Sequence, residues 1–469
     1  MSEARPAVCD AAPGQRFAAA RSVAAVAFGF PMRERRLVLI VMCAGLFLVQ
    51  LDVSIVNVAL PSIRADLHPS AAGLQWIVDG YAIALASLML AGGTIGDLHG
   101  HRRVVLAGLT LFGAASLAAG AAPTTGVLVA ARVAQGVGAA LLLPGTLAII
   151  THAFPGSGER ARAIGIWAAV AGLSLPAGPV VGGLLVAGPG WRWVFLVNLP
   201  IVVAAAVLTA RLVRESADPR GRRLDIAGVV LGTLALAATT FALIDGALGA
   251  AAVALLAAIA FVAAERRSPA PLLPLELFRR PRFTVANAVA GTMNLGSLGC
   301  IFLLTLFLQV VQGRSPLEAA LAMVPLFAPV AALAPVSGRL TGRFGPRGPM
   351  VAGLVVAAGG LGLLGTVEAS APYAELLAAF VLWGAGLGLL TAAVVAAAVG
   401  AVESERAGLA SAVNNTARQA GGAIGIAAFG ALAGDAARPG FVHGLHVAAL
   451  VAAALYAAAV VPTWRFIRG

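Results

Sequence analysis

Lysine is absent: all 32 basic residues are arginine, an imbalance that base composition accounts for without chemistry. Charge of either sign is scarce, 11% of 469 residues, where a soluble domain carries about a quarter. That excludes an ordinary water-soluble fold. Aromatic residues are 6%, which says little about cargo. Three cysteines, Cys9, Cys43 and Cys300, make no disulfide framework, and two of them lie in apolar runs. No phosphate-binding G-x-x-x-x-G-K-[ST] loop occurs, so ATP-driven pumping is disfavoured and no cofactor is expected. No zinc-protease or serine-nucleophile motif stands in a suitable context, so the chain does not read as an enzyme. His99 and His101 have no third ligand nearby, and no metal is expected.

What is present is apolar residue, 60% of the chain, with a mean hydropathy of +0.94. An apolar run of about 20 residues spans the hydrocarbon core, and alternating ten-residue β segments are missing. The fold class is therefore an all-α polytopic membrane protein. Fourteen spans are expected, at about 37–60, 73–95, 104–121, 126–150, 162–187, 193–213, 224–244, 247–264, 282–308, 318–340, 348–366, 372–397, 408–433 and 443–464. Residues 1–36 read as a cytoplasmic tail, with Met32 an alternative start.

Arginine alternates between the loops. One set holds the N-terminal arginines, Arg102, Arg103, Arg160, Arg162, the clusters 211–223 and 266–282, then Arg339, Arg343, Arg347, Arg406, Arg465 and Arg468. The other holds Arg64, Arg192, Arg314 and Arg438. Positive residues mark the cytoplasmic side, so both termini are expected inside. The net charge of +12 then belongs to the inner loops, and nucleic acid is not an expected partner.

The chain repeats itself. "GGTIGDLHGHR" (92–102) and "SGRLTGRFGPR" (337–347) align at an offset of 245, as do spans one to five and nine to thirteen. The expected organisation is a six-helix bundle at 37–213, a two-helix insert with its loops at 214–281, and a second six-helix bundle at 282–469. Parallel repeats about an axis along the membrane normal are a transporter signature, with the substrate path between the halves. Spans seven and eight lie outside the repeat and are expected to be peripheral.

Three charges lie deep in the first half: Asp52, Asp79 and Arg132. At 1.5 Å per residue all three fall roughly 9–12 Å below the outer boundary. The offset carries them to Ser297, Val324 and Leu377, so this chemistry is one-sided. Ionisable groups at membrane depth mark proton relays or ion paths. Asp52 is expected as the principal proton-coupling carboxylate, Asp79 as a lesser one, and Arg132 as a partner that otherwise simply fixes helices. Gln135 shares a face with Arg132 and is expected to line the substrate cavity. In span 13, Asn415, Arg418 and Gln419 form a polar stripe that lines the cavity or bonds to a neighbouring helix.

"LDVSIVNVALP", "GDLHGHRR", "RVAQGVGAA", "GPVVGG" and "WRWVFLVNLP", in this order and on these spans, resemble the major facilitator superfamily, and within it the fourteen-helix drug:proton antiporters. The resemblance covers about 37 to 464. Leu98 and His101 depart from it where basic residues are usual, and Gly342 stands where Asp97 does in the first copy. It implies a major facilitator fold of two six-helix bundles plus two extra central helices. It implies a cytoplasmic latch at Gly93, Asp97, Gly100 and Arg102, and an antiporter motif at Gly178, Pro179, Gly182 and Gly183. It also implies proton-coupled export of small amphiphilic drugs or natural products across the cytoplasmic membrane. The expected partners are a small-molecule substrate, protons and the lipid bilayer, with the protein a monomer. A symporter of the same fold and a non-transporting membrane sensor are the alternatives.

Overall fold

A helix satisfies every backbone N–H and C=O within itself, and in hydrocarbon there is no other partner for them. The computed structural model, which describes residues 32–154, 157–216, 225–269, 271–403 and 407–468, is accordingly helical throughout its long apolar stretches. Residues 1–31 of the expected N-terminal tail, 217–223 of the arginine-rich loop and Arg406 fall outside those residues, while residues 32–36, expected in the tail, form the first turn of the first helix.

The helices are α1 (Met32–Leu67), α2 (Ala71–His99), α3 (His101–Gly120), α4 (Thr125–Ala153) and α5 (Ser157–Ala187), then a single turn, Trp193–Leu196, leading into α6 (Asn198–Leu212). Next come α7 (Ile226–Asp245), α8 (Leu248–Arg267) and α9 (Pro281–Leu306), the last extended by a π-helical turn at Phe307–Val311. The second half continues with α10 (Pro316–Phe344), α11 (Arg347–Leu364), α12 (Tyr373–Val399), α13 (Ala407–Ala433) and α14 (Phe441–Phe466). Each overlies one expected span. Twelve stretches among the described residues are long and apolar enough to cross a membrane, which makes this a multi-pass membrane protein.

Local chemistry sets the helix ends. The Ser70 and Thr124 hydroxyls accept the N–H of Gly73 and Val127, and Ser315 with Glu318 forms a reciprocal capping box on α10. Gly100, between α2 and α3, has φ +99°, and its repeat partner Gly345, after α10, has φ +77°. Only glycine takes such angles freely.

Packing follows the repeat. In the first half α1 packs on α5, α2 on α4, α3 on α4 and α3 on α6; in the second, α9 on α13, α10 on α12, α11 on α12 and α11 on α14. The halves meet chiefly through α5 against α10 and α2 against α13, two pairs that the 245-residue offset interchanges. α7 lies over the second seam, touching both α2 and α13, with Phe241 tilted against Trp76 at 6.1 Å. α8 packs on α7 and turns Leu248, Leu255, Leu256 and Ile259 outward.

Candidate functional site

The deep charges of the first half separate into two environments. Arg132, on α4, is 1% exposed. Its Nη1 donates to Asp52 Oδ2 on α1 and, at 2.9 Å, to Gln135 Oε1; its Nε donates to the Ile77 carbonyl of α2 at 3.0 Å. The guanidinium lies 4.4 Å above the Tyr81 ring, and the Tyr81 hydroxyl donates to the Val49 carbonyl at 3.0 Å. Gln135 Nε2 donates to Ser116 Oγ of α3 at 2.8 Å and reaches Asp52 Oδ1 at 3.4 Å, as does Asn198 Nδ2 of α6. One ion pair thus ties α1, α2, α3, α4 and α6 together. A guanidinium has five donors in a rigid fork, which suits it to be this hub. Gln135, expected at the cavity, is fully buried and committed to this network.

Asp79 shares that depth but not that site. It lies two residues beyond Ile77, about 200° further around α2, so it turns away from Arg132. It is fully buried, and neither carboxylate oxygen has a hydrogen-bond partner among the described residues. By helical rotation it falls between Gln75, which abuts α13, and Trp76, which packs on Phe241 of α7. Gln75, one turn before it, sits where a side chain on Gly430 of α13 would collide, and Met89 Sδ, further along, is 3.3 Å from Asn415 Nδ2. The antiparallel register puts Arg418 roughly 10 Å along the seam from Asp79. Arg418 is half-buried, with an unpartnered Nε. Gln419 is buried, while Asn414, next to Asn415, donates to Asn287 of α9 at 3.2 Å. The structure therefore brings Asp52, Arg132 and Gln135 together inside one half, and sets Asp79, Asn415 and Arg418 along the junction of the two.

The second half fills the place of Asp52 with Ser297, whose hydroxyl lies 3.0 Å from that of Tyr456. A neutral pair stands where the first half has an ion pair.

The antiporter-motif glycines are contact points. A Cβ on Gly178 would strike Ser54 Oγ of α1, and one on Gly182 would press on Ile55 at 3.0 Å. Gly183 faces the other half, with Leu317 and Ala320 of α10 at 3.0 Å. Pro179 is buried between them. Gly178→Val is expected to destabilise the protein by at least the 1–3 kcal/mol typical of overpacking, read as a fall in detergent melting temperature. Unchanged melting would show that α1 and α5 separate freely.

The latch residues are held mainly within their own half. Glu215, after α6, accepts the backbone N–H of Arg102 at 3.0 Å and of Arg103 at 3.3 Å, and Arg102 Nη2 donates to the Ala210 carbonyl at 2.6 Å. Asp97 Oδ1 is 3.2 Å from His101 Nε2, and Gly93 rests on Pro144 of α4. Glu215 was not legible as part of this group, since nothing in its local sequence points back to residue 102.

At the opposite end the halves are joined. Arg64, ending α1, pairs with Asp435 after α13 through two bonds of 2.7 and 2.6 Å. Gln309, in the π turn of α9, donates to the Val58 carbonyl at 3.1 Å. Arg64 beside it, together with the Ala437 N–H, pulls the Asp435 carboxyl down to about 2. A depressed acid keeps its contribution above its ordinary pKa and loses it as pH falls through about 2, so acid within the physiological range leaves this pair closed. Asp435→Asn is expected to widen the separation between spin labels at positions 68 and 437, shifting the closed-to-open ratio roughly two- to fivefold for a partly exposed pair. An unchanged distance distribution would show that Gln309 and Gly183 hold this end alone.

Comparisons agree with this architecture. The model of the Major Facilitator Superfamily matches residues 42–426. The chain is 40% identical over 409 residues to "Multidrug resistance protein Stp" of Mycobacterium tuberculosis, covering 85% of this chain and 76% of that one. It is 36% identical over 438 residues to "Methylenomycin A resistance protein" of Streptomyces coelicolor, covering 91% of each. The "Tetracenomycin C resistance and export protein" of Streptomyces glaucescens is 36% identical over 404 residues, 84% of this chain and 75% of that one. Among solved structures, a D-xylose-proton symporter superposes with a TM-score of 0.68 at 13% identity, covering 92% of this chain and 97% of that one, a likeness of fold. By family match, relatives and paired bundles alike, the chain belongs to the major facilitator superfamily.

Proposed function

We propose that this protein is a proton-coupled drug antiporter of the cytoplasmic membrane, with fourteen spans and both termini inside. The observation that carries it is Asp79, a carboxylate fully buried at the α2–α13 junction without a partner among the described residues. A charged carboxylate in such a place is costly, so a proton or a polar cargo group is needed to occupy it. One acid that accepts either, but not both, couples their opposite movements, because each ligand biases the transporter only through unequal affinity for its two states. Asp52 is the weaker candidate, since its charge is already matched by Arg132. The names of the relatives support drugs and antibiotics as the cargo class. Among the described residues α10 and α13 add no buried acid, which favours neutral, zwitterionic or monovalent amphiphiles.

The reading is tested by efflux of a panel of dyes and antibiotics into energised inverted vesicles. Uptake that collapses when the pH gradient is dissipated is the expected result. Gradient-independent uptake would overturn antiport, and proton-driven movement in the opposite sense would make the protein a symporter.

A further inference from the structure

The start of α11 and the end of α14 lie apart from every group of residues described above. A cleft of about 590 Å³ opens beside them, lined by Arg347, Val460, Val461, Trp464 and Arg465. Arg347 is the first residue of α11 and Arg465 lies in the last turn of α14, so both arginines sit at the same end of the bundle, the end the loop charges assign to the cytoplasm. Neither has a carboxylate partner among the described residues. Arg347 is stacked 3.5 Å from the Trp464 ring centre, with its Nε unpartnered. Trp464 is 60% exposed and Val461 70%. Pro346 precedes α11 without a side-chain cap, and because Pro349 has no N–H the helix start offers only the Arg347 and Gly348 N–H groups.

Each feature selects the same kind of occupant. Two unpaired guanidiniums and an uncapped helix start bind phosphate oxygens. An exposed tryptophan at the end of an apolar helix belongs at headgroup level. Exposed Val461, about one turn deeper, faces acyl chains rather than water. Basic clefts between helices on the cytoplasmic side take anionic lipid headgroups. We propose that this cleft is a binding site for an anionic phospholipid of the inner leaflet, its phosphodiester held by Arg347 and Arg465 against Trp464. The bound lipid bridges α11 and α14 and steadies the outer wall of the second bundle. This inference needs the orientation assigned above but not the identity of the cargo.

The test is native mass spectrometry of the full-length protein titrated with phosphatidylglycerol, with phosphatidylcholine of the same chains, and with glycerol 1-phosphate. Phosphatidylglycerol is expected to bind in preference to phosphatidylcholine, and glycerol 1-phosphate not to displace it. An arginine near an anionic surface contributes about a fivefold gain in binding, so Arg465→Gln alone is expected to weaken phosphatidylglycerol about fivefold and Arg347→Gln/Arg465→Gln about thirty-fold. Arg347→Lys/Arg465→Lys, which keeps the charge, is expected to retain most of the preference. Equal binding of both lipids, or undiminished phosphatidylglycerol binding by the double glutamine variant, overturns the proposal. Full competition by glycerol 1-phosphate would make it a soluble-phosphate site instead. A dimer dissociated by the same substitutions would assign the face to a second copy of the chain.

Discussion

Asp79→Asn is expected to leave a folded protein that still binds cargo and no longer concentrates it. One pH unit is worth 1.36 kcal/mol per proton, so a coupled exchanger accumulates cargo about tenfold per proton exchanged across that gradient. The variant should fall to an accumulation ratio of one, and substrate-induced proton release from solubilised protein should disappear. Its melting temperature should hold or rise, because the substitution removes a buried carboxylate that has no partner among the described residues. That pairing of intact stability with lost coupling separates a transport role from a structural one. Undiminished proton release from Asp79→Asn would return the coupling role to Asp52.

The helices were legible because membrane helices announce themselves by length and apolarity, and the repeat because Gly100 and Gly345 must both adopt a positive φ. The common level of Asp52, Asp79 and Arg132 along the helices was legible too, since rise per residue is constant. Azimuth was not. Asp79 and Ile77 are two residues apart, yet one falls between the α13 and α7 sides of α2 and the other offers its carbonyl to Arg132. Which side of α2 meets which neighbour depends on how the bundles close on each other, and a single helix carries no record of it. For the same reason Gln135 read as a cavity residue although it faces Ser116. Contacts between distant loops were invisible: Arg64 with Asp435, 371 residues on, and Glu215 with the α2–α3 turn. The WRWVFLVNLP stretch was noticed, but its physical content appears only in three dimensions. Trp191 and Arg192 hold Asp66 at the end of α1, and Asn198 reaches Asp52.

The largest stability loss is expected at the Asp52–Arg132 pair. Both groups are fully buried, and removing one partner of such a pair leaves an uncompensated charge, typically a loss of about 3–5 kcal/mol. Arg132→Gln strands the Asp52 carboxylate with only the Gln135 and Asn198 amides at 3.4 Å, and also frees the Ile77 carbonyl. Asp52→Asn strands a guanidinium that retains Gln135, the Ile77 carbonyl and the Tyr81 ring, so it should be the milder of the two. The double variant Asp52→Asn/Arg132→Gln carries no charge at all and should recover much of the loss, a coupling that a double-mutant cycle reads directly. Thermal unfolding in detergent, with the yield of monodisperse protein, makes the measurement. If Asp52 were instead the proton carrier, its neutral form would be an ordinary state of the working transporter. Asp52→Asn would then melt like the unaltered protein while proton release vanished. A full loss of stability in either single variant, repaired in the double, assigns the pair to holding five helices in register and leaves the moving proton at the junction of the halves.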